Sequence, residues 1–371
     1  MKPIRLPDYN RSIMNVTASI LKHYGAPTDK STLPEIDRVL AKGPRNVVLV
    51  LVDALGEATL RRQLGSQSRL SKMAVGTLTS VFPSTTVAAT TSVMSGKSPL
   101  ETGWLGWAQW FRNENRTVIT FTDTDFYDDS KIGHAVAGAT IPYETVYRQI
   151  EQASPDVRTA EIFPAFRTPE NNTFGKLMDV AKAVCDAPGR HFVYAYWDKI
   201  DSLSHEFGPG SIEVHEMLDE IDRTFGAFVD ALDDAAVILI ADHGQVDVCP
   251  IVLDDYPELL AMCEHLPSIE TRAAAFFVKK ESRQDFRELF NRRFRDYFTL
   301  YTPAELVDGG LFGAGIKHPE FDSFLGDFIA VAIEHYFFAF RRFPSYFRGQ
   351  HAGILRDEMV VPLVIADKTK K

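Results

Sequence analysis

The sequence predicts an α/β protein with a doubly wound, mostly parallel central sheet, helices on both faces and a small inserted α+β lobe. Three observations lead there. Continuous apolar runs occur at Asn46–Val52 (NVVLVLV), His191–Trp197 (HFVYAYW) and Ala236–Ala241 (AVILIA). Runs that do not alternate suit strands buried on both faces of a parallel sheet. Long helical patterns, Asn172–Ala187 and Ser211–Leu232, separate the later runs, and strand-helix alternation implies right-handed crossovers. Each run also leads into acid: Asp53 after the first, Asp198 and Asp201 after the second, Asp242 with His243 after the third. In such sheets the carboxyl ends of the strands are where ligands bind.

The remaining elements follow in order. Ser12–Tyr24 carries apolar residues at helical spacing and stops at Gly25. Thr32-x-x-Glu35 before Ile36, Val39 and Leu40 has the form of a capping box. Thr77–Val81 reads as a strand that Pro83 stops, and Ala88, Ala89, Val93 and Met94 open a helix expected to begin near Val87. Ser84, Thr85 and Thr86 stand side by side at this strand-to-helix turn, where free N–H groups and the helix dipole suit a phosphate. Beyond Gln245 the rhythm changes. Arg272–Val278 and Phe298–Tyr301 read as strands and Arg283–Arg293 as a helix, within a lobe expected over 246–325. The core is expected to resume with Asp327–Ile333 and Met359–Ala366, so that residues 1–371 form one domain.

Composition narrows the partners. A formal charge of −10 with no long basic run argues against a nucleic-acid polymer, and a small phosphorylated substrate would need metal ions or local cations to enter such a field. No apolar run approaches the ~20 residues that span a bilayer, so no membrane partner is expected. The N-terminus MKPIRLPDYN has no apolar signal region, and Cys185, Cys249 and Cys263 show no paired spacing, which points to a cytoplasmic protein. The acidic stretch Thr122–Ser130 lacks the central glycine and final glutamate of a calcium loop. Gly96-Lys97-Ser98 resembles the end of a P-loop, but Thr91 stands where its first glycine belongs.

Three strand-end carboxylates, Asp53, Asp201 and Asp242, would repel one another unless cations lie between them. Asp201 and His205 lie four apart, on one face of a helical turn; Asp242 and His243 are adjacent; His351 sits in GQHAG, whose glycines permit close backbone approach. Mixed Asp/His donors suit zinc or manganese better than magnesium or calcium. Three carboxylates and one ionised threonine would balance two divalent cations.

VDALG, FPSTTVAATTSVMSG, DSLSHEFGP, ADHGQ and GQHAG, in this order, resemble the motifs of the type I phosphodiesterase/nucleotide pyrophosphatase family in the alkaline phosphatase superfamily. The resemblance implies an alkaline-phosphatase-like α/β fold and a two-metal phosphoric ester hydrolase, usually with zinc, in which Thr86 is the nucleophile and Thr85 the fallback. One metal would bind Asp53, Thr86, Asp242 and His243, the other Asp201, His205 and His351. Many relatives hold a phosphoryl oxygen with an asparagine where this chain has Trp107, a candidate substrate contact that cannot replace an amide. Diester or pyrophosphate cleavage is the first expectation. A phosphomonoesterase or phosphonate hydrolase is the alternative, and a non-catalytic phospholigand-binding relative is the alternative of another class.

Overall fold

A computed structural model describes residues 4–370. Its central sheet runs in the order Ala74–Thr79, Val360–Asp367, Ala235–Ile240, Asn46–Val52, Arg190–Trp197, Val157–Ile162. Asn46–Val52 lies parallel to both neighbours, in register Val50 with Ala195 and Leu239, and all seven of its residues are buried. Only Val360–Asp367 runs against its neighbours, so the sheet is mostly parallel, as the apolar runs require. Helices Phe174–Asp186 and Ile212–Ala231 provide the expected crossovers. Among the described residues, no helix is long and apolar enough to cross a membrane.

A second, antiparallel sheet has the order Phe298–Tyr301, Phe328–Ala332, Ala273–Phe276, Ser268–Glu270, Ala108–Phe111, Arg116–Ile119, Thr124–Asp125. The segment 246–325 supplies only part of it. The run Asp327–Ile333, expected in the core sheet, pairs here instead, with Ala273–Phe276 and Phe298–Tyr301. The reason is that this sheet is covered on both faces. Ala273, Ala275, Ile329 and Val331 pack with Leu105, Phe111 and Phe321 on one side. Ala274, Phe276, Phe328 and Ala330 pack with Phe286, Phe290 and Phe294 of the helix Arg283–Phe294 on the other. A strand buried on both sides loses the alternation that marks most antiparallel strands.

The capping box expected at Thr32 does not form. Pro34 takes the first helical position, Leu33 becomes the N-cap, and Thr32 Oγ1 donates to Asp37 instead, at 2.8 Å. Glu35 is occupied by Arg11, at 2.8 Å.

The two sheets are joined by a fully buried ion pair. Arg272 Nε and Nη2 donate to Glu358 Oε1 and Oε2, both at 2.7 Å, and Nη1 donates to the carbonyls of Glu334 and Tyr336. The same carboxylate accepts the N–H groups of Gly353 and Leu355, so it also fixes the loop that carries His351. Glu358→Ala leaves Arg272 charged and unpaired in the interior, which costs about 3–5 kcal/mol. Urea unfolding of that variant is expected to show a correspondingly lower midpoint; a midpoint unchanged from wild type would show the pair to be dispensable.

Candidate active site

Strands read from the sequence place most of the expected site residues. Asp53 follows Asn46–Val52 directly, and its N–H bonds Trp197 O across the sheet. Asp242 and His243 follow Ala235–Ile240. Asp201 and His205 lie on the helix Lys199–Phe207, which begins just after Arg190–Trp197, with His205 Nε2 3.3 Å from Asp201 Oδ1. His351 follows the short strand Gly349–Gln350, which pairs with Val246–Asp247 just beyond His243. Gly244 and Gly349 are there for close approach. A Cβ on Gly244 would strike the carbonyl of Asp357, and one on Gly349 the carbonyl of Ser204.

All these donors converge. Asp201, His205 and His351 form one group of potential ligand atoms, and Asp53, Asp201 and His243 another, each within 4.8 Å. Asp201 therefore lies between the two. Asp242 joins the second through His243, whose Nε2 lies 3.5 Å from its Oδ2 and 3.4 Å from Asp53 Oδ1.

The histidine tautomers are fixed by backbone. His205 Nδ1 lies 2.9 Å from Gly349 O, His243 Nδ1 3.1 Å from Gly244 O, and His351 Nδ1 3.2 Å from Ser84 O. A carbonyl only accepts, so each Nδ1 carries the proton and each Nε2 offers a lone pair toward the carboxylates. This is the usual arrangement around metal-bound histidine.

The carboxylates show the complementary strain. Asp53 Oδ1 and Asp242 Oδ2 are buried without a hydrogen bond. Burial raises the Asp53 carboxyl well above the ordinary range, and the charges of Asp242 and Asp201 add to it. Burial raises Asp242 as well. Burial also pushes against ionised Asp201, but His205, then His351 and His243, hold it below the usual range when their rings are protonated. Orphaned buried oxygens facing neutral imidazole lone pairs fit divalent cations of the zinc or manganese type.

The hydroxyl-rich turn Ser84–Thr86 differs by one residue from expectation. The helix is Thr86–Ser95, so Thr85 rather than Thr86 holds the N-cap position, and Thr86 is its first residue. Thr86 Oγ1 nonetheless faces the site, 3.2 Å from His243 Nε2 and 3.4 Å from Asp53 Oδ2. Its neighbours face elsewhere. Ser84 Oγ donates to Gly353 O at 2.8 Å, and Thr85 Oγ1 donates to Glu270 Oε1 at 2.6 Å.

Glu270 is the site residue the sequence did not disclose. It ends the strand Ser268–Glu270 of the second sheet, whose Ile269 pairs with Ala108 and so brings Trp107 alongside. Its Oε1 accepts both Thr85 Oγ1 and the Trp107 N–H, the latter at 2.7 Å, and burial pushes the carboxyl up to about 7. Tyr196 and Gln245 were missed too. Tyr196 donates a short hydrogen bond to Asp53 Oδ2, and Gln245 Nε2 donates one to Asp201 Oδ1. Tyr196 could have been found, since it lies beside Trp197 on a strand adjacent to Asp53; no local signal marks Glu270.

An open cavity of about 530 Å³ adjoins Thr86 and includes Trp107, Asp201, His205, Glu270 and His351 in its wall. A metal-ready donor cluster, a hydroxyl beside it and a cavity, at the carboxyl edge of an α/β sheet, are the parts of a metal-dependent hydrolase acting on phosphoric ester or anhydride bonds, the class to which the family match assigns the chain. The family model for type I phosphodiesterase/nucleotide pyrophosphatase matches residues 47–353, and the chain belongs to that family. Among solved structures it is similar to murine ectonucleotide pyrophosphatase/phosphodiesterase 5, with 16% identity over 85% of this chain and 87% of that one, TM-score 0.66. The human counterpart gives 16% identity over 86% and 87%, TM-score 0.65. Phosphonoacetate hydrolase from Sinorhizobium meliloti 1021, solved with phosphonoformate, gives 15% identity over 87% and 90%, TM-score 0.64. At these identities the likeness is one of fold. The comparison with curated proteins gives no match.

Proposed function

We propose that this protein cleaves small phosphoric diesters or pyrophosphates through a covalent intermediate on Thr86, with two divalent cations, zinc or manganese. The observation that carries this reading is the placement of Thr86 Oγ1, 3.2 Å from His243 Nε2 and 3.4 Å from Asp53 Oδ2, in the wall of the cavity. Asp53, Thr86, Asp242 and His243 would hold one cation, and Asp201, His205 and His351 the other. When bound, the cations lower the pKa of the threonine hydroxyl and stabilise charge on the phosphoryl and leaving oxygens.

The chain's own residues do the rest. Thr86 Oγ1 gives up its proton to water in the open cavity and attacks phosphorus. The P–O bond to the leaving alcohol or phosphate breaks, and that group takes up a proton from water. A second water then splits the ester on Thr86, releasing the phosphate product and restoring the hydroxyl. Three backbone carbonyls keep the histidine rings in one tautomer. Ser84 accepts the Ala352 N–H on its carbonyl and donates its hydroxyl to Gly353 O, locking the nucleophile turn against the His351 loop. Fixed reactant geometry of this kind lowers the barrier before any chemistry occurs. The three unpaired cysteines accord with a cytoplasmic setting for this activity.

The test is covalent trapping. The metal-loaded protein is mixed with a slow aryl phosphodiester, acid-quenched and mapped by peptide mass spectrometry. The adduct is expected on Thr86. An adduct on Thr85 or Ser84, or steady turnover with no adduct formed, would overturn the assignment.

A further inference from the structure

We propose that the cavity beside Thr86 receives the alkylammonium end of a phosphodiester, with Glu270 as the residue that sets this specificity. The inference rests on reading the site as a diester hydrolase and concerns which diester it takes.

The cavity wall is aromatic: Trp107, Phe126, Phe340, Phe343, Tyr346 and Phe347 all contribute. Among the described residues that line it there is no lysine or arginine. Its one carboxylate outside the metal-ready cluster is Glu270, which is only 7% exposed. Both hydrogen bonds to Glu270 go to Oε1, from Thr85 and Trp107, and none among the described residues goes to Oε2. A carboxylate in the cavity wall whose second oxygen takes no hydrogen bond from the described residues offers a counter-charge to a positive or hydrogen-bonding partner. Aromatic faces attract the same kind of partner, through their ring quadrupoles.

The rings already show this behaviour. The guanidinium of Arg341, which is not part of the lining, lies 5.6 Å from the Phe126 centroid and 4.9 Å from that of Phe343. Arg341 is itself engaged by Asp129 and Tyr127 O and does not reach Glu270 as a partner. A polyphosphate chain or a second carboxylate on the substrate would meet Glu270 with no lysine or arginine in the lining to offset it. An alkylammonium group finds both a counter-charge and ring faces, while its apolar carbons suit the rest of the wall.

The test compares two p-nitrophenyl phosphodiesters at pH 8.5, where Glu270, raised to about 7 by burial, is ionised. One carries a 2-(trimethylammonio)ethyl group and the other its neutral isostere, 3,3-dimethylbutyl. The metal-loaded wild type is expected to favour the cationic ester in kcat/KM by about tenfold or more, chiefly through KM. Glu270→Gln keeps an oxygen for Thr85 and Trp107 but removes the charge. It is expected to cut kcat/KM for the cationic ester by about tenfold more than for the neutral one. A wild-type ratio near one, or an equal loss on both esters in the variant, would overturn the proposal.

Binding of 2-(trimethylammonio)ethanol and of 3,3-dimethylbutanol, measured by calorimetry, needs no turnover. Tighter binding of the cation, weakened in Glu270→Gln, supports the assignment even if neither ester is hydrolysed. Absence of hydrolysis with that preference intact would count against the hydrolase reading alone, and equal binding of the two alcohols against the specificity.

Discussion

Thr86→Ala is expected to lower kcat by about four orders of magnitude, because a missing nucleophile cannot be replaced by tighter substrate binding. Its hydroxyl stands at the meeting point of Asp53 and His243, and neither adjacent hydroxyl of the turn, Ser84 or Thr85, shares that position. Thr85 donates instead to Glu270, and Ser84 to Gly353 O. Thr85→Ala should therefore spare most of kcat and act on KM or stability, since Glu270 Oε1 keeps only the Trp107 N–H. Thr86→Ser, which retains the hydroxyl, should keep part of the activity. Steady-state kinetics on a single aryl diester separates these variants. Wild-type turnover by Thr86→Ala would remove Thr86 from the mechanism.

Chelation is expected to lower the melting temperature by on the order of 10 °C, the shift that follows from losing ligands present at ~1,000 times their dissociation constants. The physical cause lies in the carboxylates. Asp53 and Asp242 are buried, raised by that burial, and each keeps an oxygen without a hydrogen bond. Cations relieve the repulsion between them and bind the folded chain alone, because the unfolded chain separates these residues. Calorimetric melting before and after verified metal removal reads the effect, and zinc or manganese should restore the original curve. An identical melting curve without metal would mean that the carboxylates do not depend on cations.

Much of this site could be read before the structure was known because its ligands follow buried strands. An apolar run such as Asn46–Val52 announces both the strand and the place where it ends, and Asp53 is simply the next residue. Asp201 and His205 share a helix face by spacing alone. The second sheet was harder. Phe328–Ala332 has the same continuous apolar character as a core strand, because helix Arg283–Phe294 covers the face that would otherwise be polar. Local sequence reports burial, not which sheet provides it. Glu270 was hidden for a related reason. Its partners Thr85 and Trp107 lie more than 160 positions away, and only the pairing of Ile269 with Ala108 brings them together. The N-cap moved from Thr86 to Thr85 by a single residue, the scale on which helix ends are set by local geometry rather than by pattern.

The central claim is that one cluster holds two cations beside Thr86, and anomalous diffraction from crystals grown with zinc tests it most directly. Two strong peaks are expected, one among Asp53, Thr86, Asp242 and His243 and one among Asp201, His205 and His351. A single peak, or none at these residues in a fully loaded crystal, would contradict it.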